Sequence, residues 1–213
     1  MTKQEPKIRR GRKFDQVLEG ARAVFMAEGF EGASVDEIAR VAGVSKATLY
    51  SYFPDKRLLF LEVVRAECLR QADEAVEVID ATAPVGDVLR MGARRVIDFY
   101  TSDFGIGVHR ICVAESARFP ELGRQFYATG AELARERIGD YLREACARGD
   151  LEIDDIALAA DQFVKLCEAD LLDRVICGVQ TSFSKAEIDR VIDGAVAMFL
   201  ARYGTRAAPR ERG

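Results

Sequence analysis

The chain has 213 residues, 49% hydrophobic and 31% charged, with 31 Lys+Arg against 35 Asp+Glu and a formal net charge of −4. A chain of this length and apolar content buries roughly 70% of the surface it exposes when unfolded, which excludes wholesale disorder. No run approaches the ~18 consecutive apolar residues of a membrane span. The opening Met1-Thr2-Lys3-Gln4-Glu5-Pro6-Lys7 leads into charge, so no secretory signal is read and a cytoplasmic location is expected.

The net charge averages two unlike parts. Residues 1–60 hold 11 Lys+Arg and 8 Asp+Glu, a balance of +3, whereas residues 61–213 hold 20 and 27, a balance of −7. Lys3, Lys7, Arg9, Arg10, Arg12 and Lys13 face only Glu5. Charge acts locally, over about 10 Å at 0.1 M salt, so the basic front points to a polyanion partner in spite of the acidic total.

Five cysteines, Cys68, Cys112, Cys146, Cys167 and Cys177, are scattered, odd in number and without a Cys-x-x-Cys pair. That is neither a disulfide framework nor a zinc site. Each is expected to be a small buried hydrophobe. His109 is the only histidine, which removes two-histidine metal motifs. No Gly-x-Ser-x-Gly elbow or glycine-rich phosphate loop accompanies it. No metal, cofactor or catalytic group is expected.

Apolar residues recur at helical spacing almost throughout, which predicts an all-α protein. A first helix over about Lys13–Glu28 carries the stripe Phe14, Val17, Leu18, Ala21, Val24 and Phe25, closed by Gly29 as a left-handed cap. Ser34 with Glu37 predicts a capping box for a second helix that ends at Ala42-Gly43. Ser45 opens a short third helix that stops before Pro54. A long fourth runs from Pro54-Asp55 to about Asp80. Pro84 opens a fifth that ends near Tyr100, followed by a loop over 101–107 and a short helix over about Val108–Arg118. Pro120 begins one that closes near Arg148-Gly149-Asp150. Helices over about Asp154–Gly178 and Ser184–Tyr203 follow, with a flexible tail over 204–213.

The segment Ser34–Lys56 carries the chemistry. Two short helices joined by a glycine-containing turn make a helix-turn-helix. Ala39 is small where the third helix crosses, Gly43 supplies positive φ, and Ile38, Val44 and Leu49 are spaced to share a core. Lys46, Ala47 and Tyr50 project from the opposite side, the face that enters a major groove.

Gly29-Phe30, Ile38-Ala39, Ala42-Gly43-Val44-Ser45, Thr48-Leu49-Tyr50, Tyr52-Phe53, Lys56 and Leu58-Leu59 resemble the TetR family of transcriptional repressors over about residues 13–60. More weakly, Arg110–Glu115, Phe119–Leu122 and Ala147–Leu151 look like the C-terminal domain of an efflux-associated subgroup. The resemblance implies an all-α architecture: a basic arm over 1–12, a DNA-binding domain over 13–56, and a helical effector-binding and dimerisation domain over 57–203.

It also implies roles for particular residues. Lys46 and Ala47 would read base edges, lysine toward guanine and the alanine methyl toward a thymine methyl. Thr48, Tyr50 and Tyr52 would place hydroxyls near phosphates or bases, with Ser34, Ser45 and Lys56 at phosphates. Arg9, Arg10 and Arg12 would reach a flanking groove. Dimer contacts are expected from Leu166, Leu171 and Val175 on one helix and Val191, Gly194, Ala195, Met198 and Phe199 on the next. Met91, Phe99, Phe104, Ile106, His109, Cys112, Ser116, Phe126 and Phe163 would line a pocket for an apolar or amphipathic effector. The function implied is a non-enzymatic, ligand-released repressor that binds a near-palindromic DNA operator as a homodimer. An activator, or an α-helical enzyme or small-molecule carrier, are the alternatives.

Overall fold

The protein is described from a computed structural model, over residues 11–78, 83–117, 120–180 and 182–205. The order is α1 (Arg12–Gly32), α2 (Val35–Val41), α3 (Lys46–Tyr52), α4 (Lys56–Val78), α5 (Val85–Thr101), α6 (Asp103–Ser116), α7 (Pro120–Thr129), α8 (Ala131–Arg148), α9 (Ile156–Glu168), α10 (Leu171–Ile176) and α11 (Lys185–Tyr203). Among the described residues the only β pairing is an isolated bridge between Leu151 and Gly204.

Two compact units emerge: Met1–Glu67 with Gly107–Tyr127, and Cys68–Ile106 with Ala128–Gly213. In the first, the stripe of α1 buries Phe14, Val17, Ala21, Val24 and Phe25, and Ile38, Leu49, Phe53, Leu59 and Phe60 are buried with them, Phe14 meeting Phe53 and Phe25 meeting Phe60 ring to ring. Phe25, Phe30 and Phe60 form an aromatic cluster with centroids 5.2–6.0 Å apart, within the range where ring pairs attract beyond their area. A Cβ on Gly20 would stand 2.7 Å from Ala42, so only glycine lets α1 and α2 cross this closely.

The second unit packs α5, α8, α9 and α11 around Leu89, Ala93, Ile97, Leu142, Ala159, Phe163, Ile192, Ala195 and Phe199. Phe163 meets Phe199 edge-on at 5.2 Å. α11 is anchored at its start by a full capping box, Ser184 with Glu187.

Several elements differ from the periodicity. The loop expected over 101–107 shrinks to a break at Ser102, whose hydroxyl accepts from Gly105 N–H at 3.0 Å and so starts α6. A Cβ at 105 would fall 2.0 Å from the Phe99 carbonyl oxygen. The glycine is thus a packing requirement, where a loop residue was expected. The helix read from Pro120 to Arg148 is two, divided at Gly130. The one read over 154–178 is divided at Ala169-Asp170, where Asp170 takes a φ of 67°. The capping box at Ser34 forms by half: Glu37 N–H donates to the hydroxyl at 3.0 Å, but the Glu37 carboxylate accepts from Arg40 Nε at 2.8 Å. Gly204 and Thr205, placed in the tail, are fixed instead. Thr205 N–H donates to the Asp150 carbonyl at 3.1 Å. Cys112 and Cys167 are buried as expected, whereas Cys177, just past α10, is exposed.

Candidate functional site

Ser34 caps α2, and Ser45 caps α3 by accepting from Thr48 N–H at 3.1 Å. Between them the chain reverses at Gly43, with φ 64°, and Val44 N–H donates back to the Ala39 carbonyl at 3.0 Å. That turn sets α3 across α2. Leu49 is the buried residue of α3, and it fixes which side faces inward. Lys46, Ala47 and Tyr50 are exposed on the other side.

The environment of each expected DNA contact is now specific. Ser34 and Ser45 stand exposed at the starts of seven-residue helices. Thr48 is half-buried, its hydroxyl 2.9 Å from that of Ser45. Lys46 Nζ pairs with Asp36 Oδ1 at 2.5 Å. Tyr52 is half-buried edge-on against Phe14, with centroids 5.8 Å apart, so its ring is a packing element. Arg12 opens α1 and is exposed; Arg9 and Arg10 lie outside the described residues.

Lys56, expected at a phosphate, is held by the backbone of its own chain here. Its ammonium donates to the carbonyls of Phe30 at 2.7 Å and Ala33 at 3.0 Å, lies 3.4 Å from that of Glu31, and sits 4.7 Å over the Phe30 ring. A lysine has three donors. Here they satisfy the backbone at the end of α1, where Gly29 (φ 72°) has broken the helical hydrogen-bond run, and a phosphate would have to displace them.

Charged neighbours brace this unit. The Arg57 guanidinium hydrogen-bonds Asp55 and holds its carboxyl below the usual range, and Arg40 does the same to Glu37. Glu67, 6% exposed, has Arg22 Nε 3.4 Å away. The sequence did carry a sign of it: Glu67 continues the α4 stripe Phe60, Val63 and Val64 at helical spacing, and so falls on a buried face.

The residues expected to line an effector site divide between the units. Met91, Phe99, Phe104, Ile106 and Phe163 belong to the second, and His109, Cys112, Ser116 and Phe126 to the first. Phe163 and Phe104 are core, at 1% and 5% exposure, and Cys112 is buried too. Met91, Phe99, Ile106, His109 and Ser116 are half-buried. The Phe126 side chain lies outside the described residues. Met91 opens onto a groove with Arg90, Arg94, Arg95, Asp98, Lys185, Asp189, Ile192 and Asp193. Three ion pairs tie that groove together, Arg90 with Asp193, Arg94 with Asp98 and Lys185 with Asp189. Charged heads line it, with Met91, Ile192 and the aliphatic stems of the arginines between them.

Of the expected dimer contacts, Leu171, Val175, Val191, Ala195 and Phe199 are spent within the chain, each under 9% exposed. Leu166 is half-buried, whereas Gly194 and Met198 lie outward on α11, with Met198 63% exposed.

A capped helix pair with a polar, exposed recognition face on an otherwise helical chain defines a DNA-binding protein. The chain belongs to the TetR family: residues 17–63 match the bacterial regulatory proteins of that family, and residues 87–205 match the AefR-like transcriptional repressor C-terminal domain. It is a transcriptional regulator, and the family is one of regulators and not of enzymes. A solved TetR-family regulator from Mesorhizobium loti MAFF303099 is 31% identical, with a TM-score of 0.84, covering 91% of this chain and 98% of that one. The flavonoid-responsive regulator FrrA is 36% identical, with a TM-score of 0.75, covering 93% and 100%. The transcriptional repressor AcnR of Corynebacterium diphtheriae is 37% identical over 62 residues, 29% of this chain. The match spans about a third of AcnR's own length.

Proposed function

We propose that the protein is a cytoplasmic homodimeric repressor, released from a near-palindromic operator by a small apolar or amphipathic effector. The observation that carries this reading is the exposed face of Lys46, Ala47 and Tyr50 on a helix whose inward side is fixed by Leu49. Residues 13–56 contact DNA, with the arm of Arg9, Arg10 and Arg12 beside them. Residues 57–203 hold the effector and the dimer contacts. The AefR-like repressor domain and the repressor AcnR favour repression. FrrA's response to flavonoids favours an aromatic, hydroxyl-bearing effector, and Phe99 and Ile106, half-buried in the second unit, are the residues proposed to meet it.

The test is a gel shift on the DNA upstream of the chain's own gene, with random duplex as competitor, for the wild type and Lys46→Ala. A bidentate lysine–guanine contact predicts a loss of about 1–3 kcal/mol on the cognate duplex and little on random DNA. Equal losses on both would remove Lys46 from base reading. Transcription from that duplex should fall when the protein is added; a rise makes it an activator.

A further inference from the structure

A groove of about 610 Å³ runs between α5 and α11 on the second unit. Its lining recurs at spacings of three and four from Met91 to Asp98 on α5 and from Lys185 to Asp193 on α11, so each helix gives it one face. Beneath it the two helices are fixed by the buried core they share, and at the rim Arg90 of α5 crosses to Asp193 of α11. The groove is therefore formed before any ligand arrives. Met91, half-buried, and Ile192, 7% exposed, make its apolar part.

The charges in it do not cancel. Four cations and three carboxylates line the groove, and each carboxylate is engaged: Asp193 by Arg90, Asp98 by Arg94 at 2.9 Å, and Asp189 by Lys185. Arg95 is left over. It is exposed, and among the described residues its guanidinium has no ion pair. The groove thus carries a positive excess within residues 61–213, which balance to −7. A guanidinium presents five donors in a planar fork that matches a carboxylate at two points, and its aliphatic stem offers apolar surface beside the charge.

We propose that this groove binds an amphipathic organic acid, whose carboxylate takes the Arg95 guanidinium while its apolar body covers Met91, Ile192 and the arginine stems. One negative charge completes the pairing of the groove. A cation would have to take a carboxylate from its present partner, and a neutral body would leave Arg95 as it stands. The site draws on neither Phe99 nor Ile106 and goes beyond the repressor reading, which it does not need.

Fluorescence anisotropy of 1-pyrenebutyrate and of its neutral counterpart 1-pyrenebutanol, each titrated with the full chain, tests the assignment. The wild type binds the acid about tenfold more tightly, the worth of one charge-assisted contact, and the preference shrinks between 50 and 200 mM salt. Arg95 is exposed, so its replacement disturbs no core, and Arg95→Ala brings the two probes to within about twofold. Arg95→Lys, which keeps the charge and loses the fork, retains about a third of the preference. Met91→Ser weakens both probes alike, by about threefold. Arg143→Ala, which removes an exposed cation from α8, leaves the preference unchanged. Equal binding of the two probes by the wild type, binding of neither, a preference that survives Arg95→Ala, or an equal drop in Arg143→Ala overturns the proposal. An Arg95→Ala change that alters sedimentation and leaves probe binding as it was also overturns it, and gives the groove to a second copy of the chain.

Discussion

Lys46 Nζ and Asp36 Oδ1 stand 2.5 Å apart, so the side chain at the head of α3 is held by the first turn of α2 before any DNA arrives. Both groups are more than half exposed, and such a pair is worth about 0.2–1 kcal/mol. The tether is therefore weak enough for a guanine edge to displace.

Asp36→Asn is expected to tighten binding to operator and to random duplex alike, by about twofold to fivefold at 50 mM salt, because it frees Lys46 and removes an anion from the phosphate-facing side. The gain should shrink by 200 mM salt, where screening is stronger. Fluorescence anisotropy at the two salt concentrations measures it. Weaker operator binding in the variant would mean that Asp36 positions Lys46 for reading and does not compete with DNA.

Lys56 leads to a different expectation from that of a phosphate contact. Removing its ammonium takes a charged donor from the carbonyls of Phe30 and Ala33, and hydrogen bonds to charged groups are worth about 1.5–3 kcal/mol. Lys56→Ala should lower the unfolding free energy by about that amount in urea, with no change in the salt slope of operator binding. A slope reduced by about one unit at unchanged stability would return Lys56 to the phosphates.

Much of this architecture could be read from the residues, and the exceptions share a cause. The stripe Phe14, Val17, Ala21, Val24 and Phe25, the caps Ser34 and Ser45, and the positive φ of Gly29 and Gly43 follow from local rules of spacing and capping, and all appear in the structure. The missed features depend on residues distant in sequence. Lys56 finds its partners 23 to 26 positions away. Gly105 reads as a loop residue until the Phe99 carbonyl is placed against it. Val191, Ala195 and Phe199 look free for a partner until α5 and α9 cover them. Charge sign along a helix is legible, but which acid a lysine meets is decided by the crossing of elements, as with Lys46 and Asp36.

The cap of α11 gives a pH dependence with a definite sign. Glu187 accepts from the backbone N–H of Ser184 at 2.9 Å and lies 2.8 Å from its hydroxyl, with Gln180 and Arg174 each at 3.3 Å. These bonds, the Ser184 backbone first, hold its carboxyl at about 2 against an ordinary 4.5. A depressed folded value means the stabilisation is complete above about pH 4.5 and is lost as pH falls through about 2. Hydrogen exchange at the first-turn amides of α11 should accelerate across that window relative to the rest of the helix. Glu187→Gln should abolish the step, and a step of the same size in that variant would assign it to another group.

The dimer expectation narrows to the outward side of α11. Gly194, Ala197, Met198 and Ala201 are exposed at spacings of three and four, a continuous stripe of small and apolar side chains opposite the buried Val191, Ala195 and Phe199. A Cβ on Gly194 meets nothing within 4 Å of its own chain, so a bulky residue there costs the folded protomer little while blocking close approach of a second copy. Gly194→Leu and Met198→Glu should each keep the far-UV dichroism of the wild type and convert it from a dimer to the 23.6 kDa monomer, measured by sedimentation at micromolar concentration. Operator affinity should fall in step, because a monomer reaches one half-site where a two-fold dimer reaches two. A wild type that sediments as the monomer would remove the dimer, and with it the expectation of a palindromic operator; variants that stay dimeric would move the interface away from this stripe.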